Sequence, residues 1–163
     1  KFIFIIFLSA FANQVNAEEV KKMGKHKDWE TYIIKSDAGK VCFAQSIPVL
    51  QSPKSSLRDS RLFISFRPGE KISNEISITA GYEFNKMNMV TAVSGKNKYK
   101  FDILQDGFAW MTSNKSEKKM IKTMKKGSRI MITGHNQNGS QTKDHYSLLG
   151  FTKAYNATKA NCS

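Results

Sequence analysis

Short strand-like segments separated by turn residues constrain the fold of this chain more than any other feature. Each segment alternates apolar and polar residues with a period of two, or is rich in β-branched and aromatic residues. Such segments occur at residues 29–35, 40–46, 61–67, 75–80, 89–93, 98–104, 108–112, 129–134 and 142–148. Between them, Asp106-Gly107 and Asn138-Gly139 suit tight hairpin turns. The pattern predicts a mainly β chain folded as an antiparallel β-sandwich with one or two short helices.

Aromatic residues recur at strand spacing within these segments. The set comprises Phe63, Phe66, Tyr99, Phe101 and Trp110. Because aromatic side chains favour the half-buried positions of a sheet, we expect these residues in the hydrophobic core and not on a stacking surface.

A first helix is predicted after the seventh strand. Asn114 is its expected N-cap, with Glu117 at the third helical position and Gly127 at the end. One face carries the apolar residues Met120, Ile121 and Met124. A second helix is predicted over residues 151–159, close to the C-terminus.

The other face of the first helix is strongly basic. It carries six lysines: Lys115, Lys118, Lys119, Lys122, Lys125 and Lys126. Such a face attracts anionic lipid head groups, nucleic-acid phosphates or acidic glycans. The alternative is a solvated lysine face in a lysine-rich chain, since the whole sequence has 26 basic and 13 acidic side chains and a net charge of +13.

The N-terminus has the layout of a signal peptide. Lys1 precedes an apolar run over residues 2–12, and the small-x-small sequence Val15-Asn16-Ala17 follows. We predict a leader over residues 1–17 with cleavage after Ala17; an uncleaved anchor is the alternative, although the run is shorter than the ~20 residues of a spanning helix. Loss of Lys1 with the leader reduces the net charge from +13 to +12.

The remaining chain is divided into an N-terminal arm over residues 18–28 and one domain over residues 29–163. No second apolar run is long enough to span a membrane, so we expect a mature protein without a transmembrane helix. Export also disfavours nucleic acid as a partner.

Two cysteines, Cys42 and Cys162, suit a single disulfide in an exported chain. Closing a loop of about 120 residues contributes on the order of 4 to 5 kcal/mol in the simple chain model. Two free or buried thiols are the alternative. The spacing fits neither a zinc site nor a redox Cys-x-x-Cys motif.

No sequence motif of a nucleophilic or phosphate-binding enzyme occurs, and no cofactor is expected. His135, Asp144 and His145 flank a predicted hairpin and form the best candidate for a metal site. Ordinary surface histidines are the alternative interpretation, because no ligand spacing indicates a metal.

Several motifs together resemble the invasion-associated locus B family. They are Lys40-Val41-Cys42-Phe43-Ala44-Gln45-Ser46-Ile47-Pro48, Arg67-Pro68, Asn74-Glu75-Ile76-Ser77, Gly81-Tyr82, Gly107-Phe108-Ala109-Trp110, Met124-Lys125-Lys126-Gly127, Thr142, Asp144, Tyr146-Ser147-Leu148, Gly150-Phe151 and Cys162. Their order and spacing carry the resemblance over nearly the whole mature chain. The sequence departs from the family pattern at Asn138-Gly139-Ser140, where Arg-Gly-Thr is common, and lacks the additional cysteine pair of some relatives.

The resemblance implies an immunoglobulin-like β-sandwich exported to the periplasm or outer envelope of an alphaproteobacterium, or secreted. It supplies no catalytic residues, so we expect a non-enzymatic protein. The leading hypothesis is binding of a protein or an anionic envelope or host-surface component, with peripheral contact at a membrane surface. The alternatives are a metal-dependent hydrolase at His135, Asp144 and His145, and a structural or chaperone-like periplasmic protein.

Overall fold

The computed structural model describes residues 19–37, 39–55 and 57–163. Two antiparallel β-sheets and two helices make up this part of the chain. The strands are β1 (Glu19–His26), β2 (Trp29–Ser36), β3 (Gly39–Ser46), β4 (Leu50–Ser52), β5 (Ser60–Arg67), β6 (Ile72–Ala80), β7 (Val90–Ser94), β8 (Asn97–Phe101), β9 (Ile103–Gln105), β10 (Phe108–Trp110), β11 (Arg129–His135) and β12 (Gln141–Ser147), and the helices are α1 (Asn114–Lys126) and α2 (Phe151–Asn161). The predicted leader lies outside the described residues.

Seven strands form the larger sheet, in the order β1-β2-β3-β5-β6-β10-β9, and five form the smaller one, in the order β4-β12-β11-β7-β8. The inner faces of the two sheets enclose the core. The predicted antiparallel β-sandwich with two short helices is therefore confirmed. Each predicted strand segment contains a strand, although β4 also forms inside the segment between β3 and β5 that shows no strand pattern.

The segment predicted as one strand over residues 98–104 is divided at Asp102. Its first half is β8 in the smaller sheet, and its second half is β9 in the larger one. At the crossing, the Asp102 carboxylate accepts hydrogen bonds from the Thr112 amide and hydroxyl, at 2.9 and 2.6 Å. These hydrogen bonds lower the pKa of Asp102. A polar contact thus holds the point where the chain changes sheets.

Residues 19–26, within the predicted N-terminal arm, form β1 and pair with β2 along the edge of the larger sheet. The sequence gives no strand signal here because the strand is almost entirely exposed and rich in lysine. Lysines on an edge strand discourage pairing with other chains. The segment is accordingly part of the sheet and not a separate arm.

Helix α2 covers the inner face of the larger sheet near β2 and β3. The rings of Phe151 and Trp29 meet edge to face at 4.9 Å, and both side chains are fully buried. Gly150, the N-cap, has φ +91°, and a Cβ atom there would overlap the carbonyl oxygen of His26. Only glycine therefore permits this approach of α2 to β1.

A disulfide joins Cys42 of β3 to Cys162 at the end of α2, with a Cα–Cα distance of 5.9 Å. The predicted bridge is present. It fixes the C-terminal helix against the sheet across a sequence separation of 120 residues.

The predicted core aromatics divide between the core and the outer face of the larger sheet. Phe66 and Phe101 are buried, and so is Tyr99, which confirms that part of the prediction. Phe63 and Trp110 lie on the outer face of the larger sheet and are only partly buried, so the prediction is wrong for these two. Their buried sequence neighbours, such as Leu62 and Ala109, occupy the inner face.

Candidate anion-binding surface

The N-cap of helix α1 is Ser113, one residue before Asn114, the predicted N-cap. The Ser113 hydroxyl is the N-cap and accepts a hydrogen bond from the Ser116 amide at 3.3 Å, so Asn114 is the first helical residue and not the cap. Met120, Ile121 and Met124 are buried, as predicted.

Glu117, the only acidic residue of α1, is turned into the protein and is 4% exposed. Its Oε1 atom accepts a hydrogen bond from the backbone amide of Ile76 at 3.0 Å. This amide lies just beyond the point where β10 ends, since Trp110 pairs with Ser77. Burial raises the pKa of Glu117, the hydrogen bond opposes this effect, and the nearby Glu75 carboxylate adds to it. Glu117 thus anchors α1 to the edge of β6.

The inward position of Glu117 leaves the outer face of α1 with cations alone. All six predicted lysines are exposed: Lys115, Lys118, Lys119, Lys122, Lys125 and Lys126. Within residues 19–37, 39–55 and 57–163, no acidic side chain forms a salt bridge with any of them. The charge of this lysine face is therefore not neutralised by the fold.

Lys125 differs from the other five because its Nζ atom lies 3.8 Å from the centre of the Tyr155 ring, in a cation–π contact between α1 and α2. Partial burial lowers the pKa of Lys125, and repulsion from Lys159 adds to the effect. The contact assigns Lys125 a role in packing the two helices, so the surface available to a partner consists chiefly of the other five lysines.

A groove of about 600 Å³ lies between the C-terminal half of α1 and the turn that joins β7 to β8. Its cationic lining residues are Lys119, Lys122, Lys126 and Arg129, and its polar ones include Ser94, Asn97, Thr123 and Ser128. None of the acidic residues that the structure describes lines it. Because the C-terminal end of a helix repels anions, attraction in this groove comes from the side chains.

Arg129 extends the basic surface beyond the helix. It is the first residue of β11 and stands two residues after the end of the helix at Gly127. The helical periodicity that identifies the lysine face does not extend to a strand residue. The short connection from α1 and the pairing of β11 with β7 bring Arg129 to the groove.

The structure does not bring together the three residues of the predicted metal site. His135 pairs with Gln141 and His145 pairs with Met131, so the two histidines are separated along the hairpin by about 13 Å. Asp144 lies on the opposite, buried face of β12. In the described part of the chain, no group of three or more potential metal ligands lies close together. These three residues therefore do not form the shared metal site that the alternative of a metal-dependent hydrolase requires.

Asp144 instead forms a buried ion pair with Arg58, which sequence patterns do not reveal. Arg58 Nη1 and Nη2 contact the two carboxylate oxygens at 2.9 and 2.6 Å, and the side chains are 8% and 3% exposed. Arg58 also donates to the carbonyl oxygen of Ala80 and lies 5.8 Å from the Tyr82 ring centre. The pair ties the segment between β4 and β5 to β12.

These features define a two-sheet β-sandwich closed by two helices and one disulfide, with a basic helical surface. The chain belongs to the invasion associated locus B (IalB) protein family, whose sequence model matches residues 29–159. The crystal structure of invasion associated protein b from Bartonella henselae has the same fold, with a TM-score of 0.59 and 11% sequence identity over 85% of this chain and 96% of that chain. A comparison with curated proteins found no significant match. Among the described residues, neither α1 nor α2 has the length and apolar character to cross a membrane.

Proposed function

We propose that this chain is an exported, non-enzymatic envelope protein that binds an anionic component of the envelope or of a host-cell surface through the lysine face of α1. The observation that carries the proposal is the position of Glu117. The helix uses its single acidic side chain as a buried anchor, which leaves the outer face without a compensating negative charge.

Family membership supports the assignment to the envelope, in the periplasm or at the outer surface. The solved relative from Bartonella henselae is described as an invasion associated protein. In a pathogen, contact with a host-cell surface is compatible with the same basic face, because acidic glycans at a cell surface attract exposed lysines. The proposed chemistry is therefore the same for both locations.

The binding test uses the mature protein and vesicles of phosphatidylglycerol mixed with phosphatidylcholine, compared with phosphatidylcholine alone. The test variant replaces four exposed lysines of the face with glutamine: Lys118, Lys119, Lys122 and Lys126. Each lysine near an anionic surface contributes about 1 kcal/mol, so we expect the variant to bind the anionic vesicles at least about tenfold more weakly at low salt. Lys125 is left in place because it packs on Tyr155.

The matched control replaces four exposed lysines elsewhere with glutamine: Lys21, Lys35, Lys54 and Lys86. It changes the net charge by the same amount and leaves the α1 face intact. Sedimentation of vesicles with bound protein measures both variants. An equal loss of binding in the control would show that overall charge, and not this face, determines the affinity, and would refute the proposal.

A further inference from the structure

The outer face of the larger sheet carries a continuous row of five aromatic rings. The row runs through Tyr32 of β2, Phe43 of β3, Phe63 of β5, and Phe108 and Trp110 of β10. Successive ring centres are separated by 5.2, 6.0, 6.2 and 5.5 Å in this order. The first and last pairs are stacked, and the two middle pairs are inclined. Each ring therefore contacts the next across a large part of the sheet.

Small residues on β6 allow the row to continue across a strand that contributes no ring. Ser77 stands opposite both Phe63 and Trp110, and Thr79 stands opposite Phe108. Since β6 separates β5 from β10, a large side chain at either position would keep the rings of Phe63 and Phe108 apart. With serine and threonine there, these rings meet at 6.2 Å.

The core packs against the inner face of the sheet, and the aromatic row lies on the opposite face. Trp29, Cys42 and Phe66 face inward, where α2 packs against them. The rings of the row belong to the alternate strand positions, and each is partly buried. A solvent-facing side of an antiparallel sheet is ordinarily polar, so an unbroken aromatic row there indicates a contact surface.

Most of the charges that border the row are paired within the protein. Lys22 pairs with Glu30 at one end, and Arg67 holds Glu75 through two hydrogen bonds of 2.7 and 2.8 Å. Gln45, beside Glu30 and Phe63, is uncharged. Lys25 also lies opposite Glu30 but forms no salt bridge with a described residue. The charges along most of the border are thus paired, in contrast to those on the face of α1.

We propose that the aromatic row is a docking surface for a linear, uncharged polysaccharide. The C–H groups on the faces of pyranose rings pack against aromatic rings, and sugar hydroxyls bond to planar polar side chains such as Gln45, Glu30 and Arg67 at the borders. A row of evenly spaced rings matches a polymer of repeating sugar units. Because the rings already support one another, little side-chain freedom is lost on binding.

Because most charges around the aromatic row are paired, this surface favours an uncharged partner over an anionic one. An anionic polymer gains little electrostatic attraction here, whereas the lysine face of α1 offers it. An uncharged glycan needs no such attraction and uses stacking and hydrogen bonds. The proposal is independent of the anion-binding role of α1, because the two surfaces share no residue.

The experiment titrates the mature protein with cellohexaose and chitohexaose, and with hyaluronan hexasaccharide and poly-uridine RNA as anionic comparisons. Trp110 is a built-in reporter, since the other tryptophan, Trp29, is fully buried. We expect a neutral hexasaccharide to shift the indole N–H resonance of Trp110 and to leave that of Trp29 in place. Trp110→Ser should weaken the calorimetric Kd by about tenfold. Leu57→Ser, at an apolar residue that is 88% exposed in the loop between β4 and β5, should leave the Kd unchanged.

Three results would overturn the proposal. The first is the absence of any shift of the Trp110 resonance in the unaltered chain with either neutral hexasaccharide, a readout that does not depend on whether the variant folds. The second is tighter binding of hyaluronan or RNA at the same Trp110 resonance. The third is self-association of the protein that Trp110→Ser abolishes in sedimentation experiments, because the row would then be an interface between two copies.

Discussion

Replacing Arg58 with methionine should destabilise the protein strongly, because it leaves the Asp144 carboxylate buried without its partner. The two side chains are 8% and 3% exposed and share two hydrogen bonds, of 2.9 and 2.6 Å. Removing one member of a buried pair costs about 3–5 kcal/mol, whereas replacing both with apolar residues is often close to neutral. We therefore expect Arg58→Met to lose about 3–5 kcal/mol of unfolding free energy, and the Arg58→Met/Asp144→Leu double variant to recover most of it.

Urea denaturation of the wild type, the two single variants and the double variant provides the free energies for a double-mutant cycle. Arg61→Met is the matched control, because Arg61 pairs with Asp59 at the surface, where the side chains are 34% and 76% exposed. An exposed pair contributes about 0–1 kcal/mol. If Arg58→Met costs no more than Arg61→Met, or if the two single losses simply add in the double variant, the interpretation of a coupled buried pair is refuted.

Two further predictions concern contacts that hold the helices. Replacing Cys42 and Cys162 with serine should lower the unfolding free energy by roughly 4 to 5 kcal/mol, since the bridge closes a long loop; a loss below about 1 kcal/mol in urea denaturation would contradict this. Glu117→Gln keeps a hydrogen-bond acceptor for the Ile76 amide but removes the carboxyl group. In the wild type, burial raises the pKa of that carboxyl group. In the wild type, protonation of Glu117 adds stability as the pH falls through its raised pKa, and this gain is complete below the ordinary pKa of glutamate. The glutamine variant should therefore match or exceed the wild type at neutral pH and lose that advantage in acid, as measured by urea denaturation at a series of pH values; the opposite trend would refute the assignment.

The sequence predicts the elements whose signal is local. Strand alternation and turn residues identify the sandwich, and helical periodicity identifies α1 with its lysine face. The sequence does not predict β1, because almost all of its residues are exposed and no buried face imposes an alternating pattern. The sequence also does not predict the Arg58–Asp144 ion pair. The two residues are 86 positions apart, and they meet because the loop that carries Arg58 packs against β12.

The aromatic residues show where alternation ceases to be informative. In Leu62-Phe63-Ile64-Ser65-Phe66, Leu62, Ile64 and Phe66 are core residues, while Phe63 belongs to the outer row. When both faces of a strand carry large apolar side chains, periodicity cannot tell which face is inside. The distinction depends on what covers each face, and here α2 and the second sheet cover only one.

Ionic strength separates the two proposed surfaces. Binding of anionic vesicles by the lysine face should weaken as salt rises, because salt screens the attraction between exposed charges. Stacking of an uncharged glycan on the aromatic row contains no such attraction between protein and ligand, so its affinity should be nearly insensitive to salt. One protein would then hold an anionic surface and a neutral polymer at the same time, and raising the salt would release the first while the second stays bound. Loss of both interactions over the same salt range would show that the glycan also depends on charge, and the assignment of a neutral partner to the row would fail.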